Sequence, residues 1–310
     1  VQWSIGILLL RLRKNNESSF RKILFMKKIW TSFLVIAFLL NRSSIIAQTP
    51  TIQTAAVTVL PKGKLIIVGG GSMPDTMYQL FANSIGGKDQ SVVVIPTATN
   101  DSAINAGAHL TRFKKEGFTN LTTVHARTKE AADSPEFIQA ISNAKGIFFS
   151  GGDQSRIADA FLGTRVHAAM QDLFIRGGVF MGTSAGATIM GTLLVGGDAR
   201  KDLTKPFDFP AALNLFKNTA IDQHVLARNR QFDLIPVIEQ HPHLLGIAID
   251  ESTAIVVEGN QFSVLGKSYA MVYDAQNWEE QKKQWGRVLK PFMMLAQPQR
   301  YDFEKRKVIR

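Results

Sequence analysis

The chain of 310 residues contains no cysteine. Disulfides, thiolate nucleophiles and zinc–thiolate sites are therefore excluded. The N-terminal apolar run Ile29–Leu40 is twelve residues long, short of the roughly 20 needed to cross a bilayer. The triplet Gly69-Gly70-Gly71 is followed by Pro74 where a dinucleotide-binding G-x-G-x-x-G fingerprint has its third glycine. A nucleotide site is not expected there; close backbone approach to a substrate is reason enough for the glycines. Internal repeats and low-complexity tracts are also missing. The net charge of +11 gives no nucleic-acid signal, because residues 1–47 hold eight Lys and Arg against one Glu. The remainder carries only +4, too little to call for a polyanion partner.

The basic, apolar start has the layout of an export signal. Met26-Lys27-Lys28 precedes Ile29–Leu40, and Ile45-Ile46-Ala47 offers a cleavage point before Gln48. The expected organisation is an upstream extension over 1–25, a signal peptide over 26–47, a lead-in over 48–63, a catalytic body over 64–275 and a C-terminal extension over 276–310. The expected location is periplasmic or extracellular, with no stable membrane insertion after processing.

From Lys64 on, short apolar runs alternate with helical stretches. Leu65–Val68 ends in Gly69-Gly70-Gly71, and Val92–Ile95 ends in Pro96-Thr97-Ala98-Thr99. A weaker run surrounds Thr122–Val124. Gly146–Phe149 ends in Ser150-Gly151-Gly152-Asp153-Gln154, and Leu245–Ile249 ends in Asp250-Glu251. Helices are expected over 77–84, 103–116, 135–143, 155–162 and 166–175. Closing strands are expected at 261–265 and 271–273, a partly helical stretch over 277–289, and an edge strand within 301–309. Apolar strands alternating with helices imply an α/β fold, a mostly parallel sheet with helices on both faces. In such sheets the ligand site lies beyond the carboxyl ends of the strands. The small and polar residues just named all fall there.

One of these strand ends carries a nucleophile signature. Gly178-Val179-Phe180 runs into Met181-Gly182-Thr183-Ser184-Ala185-Gly186-Ala187, a Ser between two glycines with a helix expected to start at it and run to Met190. That is the nucleophile elbow. Its helix N-terminus would face a developing oxyanion, with the Ala185 N–H as one donor and Gly151 or Gly152 as the other. The bland reading is a Gly-Ser turn joining a strand to a helix.

A Ser nucleophile needs a base, and the base needs an orienting acid. Of six His residues, His109 and His167 lie in helical stretches and His125 ends the weak third strand. His241 and His243 form a loop pair. His224 closes the polar cluster Asp222-Gln223-His224, with Arg228 and Arg230 beyond it. For the acid, spacing alone leaves Asp250 and Glu251 both open.

Taken together, Gly182–Ala187, Phe149–Gln154, Asp222-Gln223-His224 with Arg228 and Arg230, and Gly246–Ala254 resemble cyanophycinase. That is a serine peptidase family related to peptidase E, on a class I glutamine-amidotransferase-like fold. The resemblance covers roughly residues 64–274. It implies Ser184 as nucleophile, His224 as base and Glu251 as third member, with Gly152 and Ala185 at the oxyanion hole. It further implies that Gln154, Asp222, Gln223 and Arg228 contact substrate, that no metal or organic cofactor is needed, and that β-Asp-Arg dipeptides are released from a cyanophycin-like peptide. A homodimer is compatible with it. Two places depart from the family pattern and are expected to line the pocket: Val225, where an aromatic is usual, and Gly71-Ser72-Met73-Pro74, where the family usually has acidic residues. The competing expectations are a peptidase E-like dipeptidase for α-aspartyl or isoaspartyl peptides, and a non-catalytic amidotransferase-like binding domain.

Overall fold

The computed structural model describes residues 62–195 and 211–309. The expectations for 1–61, including the export signal, lie outside them.

The first strand, β1 (Lys64–Val68), leads through α1 (Asp75–Ile85) to β2 (Val92–Ile95). Next come α2 (Asp101–Asn105), α3 (Ala108–Lys115) and β3 (Leu121–Thr123). Two helices, α4 (Lys129–Ala132) and α5 (Pro135–Asn143), precede β4 (Gly146–Phe149). Two more, α6 (Gln154–Phe161) and α7 (Arg165–Ile175), precede β5 (Val179–Thr183) and the short α8 (Ala185–Thr188). The pairings β3-β2-β4-β5-β1 are all parallel. This is the expected doubly covered sheet, and its register explains the unbroken apolar runs. Leu65, Ile67, Val93, Ile95, Ile147, Phe149 and Phe180 pack into one core with Ile157, Phe161, Met170 and Phe174 of α6 and α7. Their neighbours Ile66, Val68, Val92, Val94, Phe148, Val179 and Met181 pack into another with Met77, Tyr78 and Phe81 of α1 and Phe113 of α3. With both faces buried, every position must be apolar. The 103–116 stretch is two helices rather than one, because Gly107 takes a left-handed φ of 70° between α2 and α3.

Beyond β1 the sheet turns antiparallel through β8 (Thr253–Glu258), β9 (Gln261–Gly266), β12 (Arg300–Asp302) and β13 (Lys307–Ile309). The expected single edge strand is thus a two-strand hairpin, and Tyr301 of β12 is fully buried, its ring stacked on Phe262 at 5.7 Å. A second, four-stranded sheet runs β11 (Met293–Ala296), β10 (Tyr269–Asp274), β7 (Leu245–Ile249), β6 (Thr219–Gln223). Ile221, Ile247, Ile249 and Val272 on one of its faces join the core beneath α6 and α7. On the other, Ala220, Ala248 and Tyr273 meet α9 (Leu234–Gln240) and Trp278 of α10 (Ala275–Trp285). The β7 run therefore belongs to this second sheet. The two sheets meet at Gly69, where a Cβ would lie 2.3 Å from the Asp250 carbonyl oxygen. Among the described residues no helix is long and apolar enough to cross a membrane.

Candidate active site

Ser184 stands between β5 and α8 with φ 55° and ψ −117°. A non-glycine residue there stores roughly 1–3 kcal/mol of strain, so the surroundings must impose it. Its N–H donates to the Val68 carbonyl at 3.1 Å. The flanking glycines are steric necessities. A Cβ on Gly182 would meet the Gly186 carbonyl oxygen at 2.2 Å, and one on Gly186 would meet the Phe149 carbonyl oxygen at 2.3 Å. The helix beyond the elbow is shorter than expected, ending at Thr188.

Ser184 Oγ lies 2.8 Å from His224 Nε2, and His224 Nδ1 lies 2.6 Å from Glu251 Oε1. The three side chains thus form one hydrogen-bonded chain, although they come from β5, the end of β6 and the end of β7. His224 has a left-handed φ of 54° and is buried. Burial lowers its pKa below the ordinary histidine value, reinforced by Arg228 and Arg230 and opposed by the Glu251 hydrogen bond. The ring is therefore neutral at neutral pH and free to accept a proton at Nε2.

The choice between the two acids falls to geometry. Glu251 meets the imidazole, whereas Asp250 accepts the N–H groups of Leu226 and Ala227 at 3.0 Å each and the Ser268 hydroxyl at 2.6 Å. Burial raises the Asp250 pKa, but hydrogen bonds from Ser268 and the Ala227, Glu251 and Leu226 N–H groups outweigh it and hold it below the usual carboxylate value. Asp250 is the ionised cap of the turn that follows His224.

The glycine triplet packs against this assembly. The Gly69 carbonyl accepts the His224 N–H at 2.8 Å, and the Gly70 carbonyl accepts the Ser252 N–H at 2.9 Å. A Cβ on Gly70 would be 2.2 Å from the His224 ring, and one on Gly71 would be 2.9 Å from the Glu251 side chain.

The Ser150–Gln154 loop, at the end of β4, flanks Ser184 on the other side. A Cβ on Gly151 would lie 3.3 Å from that of Ser184. Among the described residues, neither the Gly152 nor the Ala185 N–H donates to a protein acceptor. Both donors expected for an oxyanion are thus open.

The other expected site residues divide. Gln223 is close to the nucleophile, its Oε1 3.5 Å from Ser184 Oγ. Gln154 donates from Nε2 to the Val195 carbonyl at 3.2 Å. Arg228 is exposed on the turn after His224. Asp222 is buried, accepts the Gln223 N–H at 2.8 Å and lies 3.8 Å from the buried Arg230. It braces the loop that carries His224. Val225 does not line a pocket: it is fully buried with Leu234, Tyr273 and Trp278. The remaining histidines lie apart from the chain, His109 bonded to Thr123 and His167 to the Leu213 carbonyl. His125 is bonded to Thr97, and the rings of His241 and His243 meet edge to face.

Two partners were not singled out as candidates from the sequence. Arg127 donates to the Thr97 and Thr99 carbonyls and to Asp101, and Thr99 contacts both Ser150 and Gly151. Thr99 was signalled only by the polar stretch 96–99 at a strand end, and Arg127 by nothing local.

The family model for peptidase family S51 matches residues 53–265. The chain belongs to that family. It is a serine peptidase acting on peptide substrates. Within the S51 family, the protein is 29% identical over 240 residues to a cyanophycinase of Trichormus variabilis, covering 76% of this chain and 78% of that one. A cyanophycinase of Geminocystis herdmanii is 27% identical over 222 residues, covering 69% and 82%. The fold is also that of a crystallised peptidase from an acI-B1 actinobacterium, with a TM-score of 0.60 at 20% identity, covering 79% of this chain and 98% of that one. A putative peptidase E of Listeria monocytogenes matches with a TM-score of 0.50 at 17% identity, covering 67% and 100%.

Proposed function

We propose that this S51 peptidase hydrolyses β-aspartyl isopeptide bonds, releasing β-Asp-Arg type dipeptides from a cyanophycin-like substrate. The observation that carries the chemistry is the unbroken chain Ser184 Oγ, His224, Glu251 on a strained elbow. Ser184 Oγ attacks the carbonyl carbon as its proton passes to His224 Nε2. The Nδ1–H of the resulting imidazolium donates to Glu251, which stabilises the charge and holds the ring. The oxyanion takes the N–H groups of Gly152 and Ala185. His224 then gives its proton to the leaving amine, and the acyl-enzyme is hydrolysed by water that His224 activates in turn. The bond class is supported by the two cyanophycinase relatives. Gln223 beside the nucleophile and Arg228 on the adjacent turn are the residues we assign to the substrate.

A fluorophosphonate probe should label Ser184, and incubation with cyanophycin granules should release β-Asp-Arg detectable by mass spectrometry. A panel of α- and β-aspartyl dipeptides tests the bond class. Cleavage of the α-aspartyl members alone would overturn it in favour of a peptidase E-like activity. We also propose export, on the strength of residues 26–47. N-terminal sequencing of protein from the native envelope or medium should then start at or near Gln48, and an intact chain in a membrane fraction would overturn it.

A further inference from the structure

The loop carrying Gly152 is tied along its length to the loop after β2. The Ser150 N–H donates to the Ile95 carbonyl at 3.1 Å, and the Asp153 N–H donates to the Ala98 carbonyl at 3.0 Å. Between these two bonds the Thr99 hydroxyl donates to the Gly151 carbonyl at 3.0 Å, and it lies 3.0 Å from the Ser150 hydroxyl. A hydroxyl has one proton. With the Thr99 proton on Gly151, the Ser150 hydroxyl is the donor to Thr99. The Thr99 loop is itself fixed, because its carbonyl accepts Arg127 Nη2 at 2.7 Å and Arg156 Nη1 at 3.3 Å.

The Gly151 carbonyl and the Gly152 N–H belong to one trans peptide and point in opposite directions. Gly152 has φ 138°, and a Cβ on it would strike the Ala98 carbonyl at 2.1 Å. Glycine on both sides leaves this peptide free to rotate unless something holds its oxygen. We infer that Thr99 is a positioning residue: by holding the Gly151 carbonyl, it turns the Gly152 N–H away from the β2 loop and toward the oxyanion formed at Ser184. It touches no substrate and acts only through that peptide. The inference rests on the serine-hydrolase reading above.

The test uses the full-length protein and a fluorophosphonate, whose phosphonylation of Ser184 builds negative charge at the same place. Loss of one oxyanion donor costs about 10²–10³ in rate, so Thr99→Val should slow labelling by roughly tenfold to a hundredfold. The acid limb of its pH–rate profile should stay where it is, because His224 is untouched. Thr99→Ser should restore labelling to near the wild-type rate. Should Thr99→Val fold poorly, Thr99→Ala against Thr99→Ser isolates the same hydroxyl, with Ala slow and Ser fast. Equal rates for Ser and Ala, or a Thr99→Val rate matching wild type, overturn the inference while leaving the serine mechanism standing. Wild-type protein that is not labelled at Ser184 overturns the mechanism, and this inference with it.

Discussion

Gly70 lies flat against the His224 imidazole, so that the nearest ring atom is 2.2 Å from where a Cβ would be. Its φ of 107° is closed to other residues as well. Gly70→Ala must therefore push the ring away from Ser184 and strain the loop that holds it. Displacements of about 1 Å cost on the order of a hundredfold in rate. We expect kcat to fall by about that factor, with KM changing less. An unchanged kcat would mean that the ring reaches its working position by another route.

The adjacent acids should separate cleanly. Ser184→Ala and His224→Ala should each lower turnover by roughly 10⁴–10⁶-fold, since members of such a unit fail together. Glu251→Gln should be damaging but less so, because the amide keeps the size while losing the charge that favours the imidazolium. Asp250→Asn leaves the imidazole contact in place and weakens the Leu226–Ala227 turn. It should show mainly in thermal stability. If Asp250→Asn proves the more damaging to kcat, the assignment of the orienting acid is wrong.

The activity should depend on pH through His224. Its pKa lies below the ordinary value of about 6.5, with burial the leading cause. The base is active when neutral, so kcat/KM should rise with pH along an acid limb and level off by neutrality. Glu251 raises this pKa and Arg228 lowers it. Glu251→Gln should move the limb to lower pH, and Arg228→Gln should move it to higher pH. Shifts in the opposite sense would show that another group sets the limb.

Much of the fold was legible because its signals are local. Both sheet faces are buried, so β1, β2, β4 and β5 read as continuous apolar runs. The elbow is recognisable because Gly182 and Gly186 have no steric alternative. Other features were hidden for reasons equally physical. Nothing local distinguishes β7, in the second sheet, from the strands of the first; the partition depends on the crossing at Gly69. The helix over 234–240 was missed because Pro236 interrupts the pattern; it lies in the first turn, where proline is tolerated. Spacing left Asp250 and Glu251 open and only the resemblance pointed to Glu251, because the choice rests on contacts with residues distant in sequence, His224 for Glu251 and Leu226, Ala227 and Ser268 for Asp250. The glycine triplet was visible, but its purpose was not, since it answers a ring 154 positions away in sequence.

The C-terminal segment should matter for stability. Arg306 Nη1 meets the buried Asp274 at 2.5 Å. Burial pushes the Asp274 pKa up, with Arg306 as the main opposing influence. Arg306→Met leaves that carboxylate without its partner, which should cost about 3 kcal/mol by denaturant unfolding at neutral pH. The folded-state pKa of Asp274 then rises further above its unfolded value. The loss should therefore be greatest above the folded pKa and shrink as the pH falls through it. A pH-independent loss would point to packing instead of charge.

The final prediction concerns substrate choice, where two arginines compete. Arg230 is buried and reaches Asp222 and the Gln223 carbonyl. Replacing it should loosen the loop under His224 and harm every substrate alike. Arg228 is exposed, one turn beyond His224, with its N–H donating to the His224 carbonyl. A β-aspartyl unit carries a free α-carboxylate close to the scissile bond, and a guanidinium can meet it with two parallel hydrogen bonds. Lysine keeps the charge but not the fork. Arg228→Lys should lower kcat/KM for β-aspartyl substrates with the melting temperature unchanged, and the loss should shrink for analogues whose α-carboxylate is amidated. Equal losses for free-acid and amidated substrates would assign Arg228 to the scaffold beside Arg230, and the carboxylate would then need another partner.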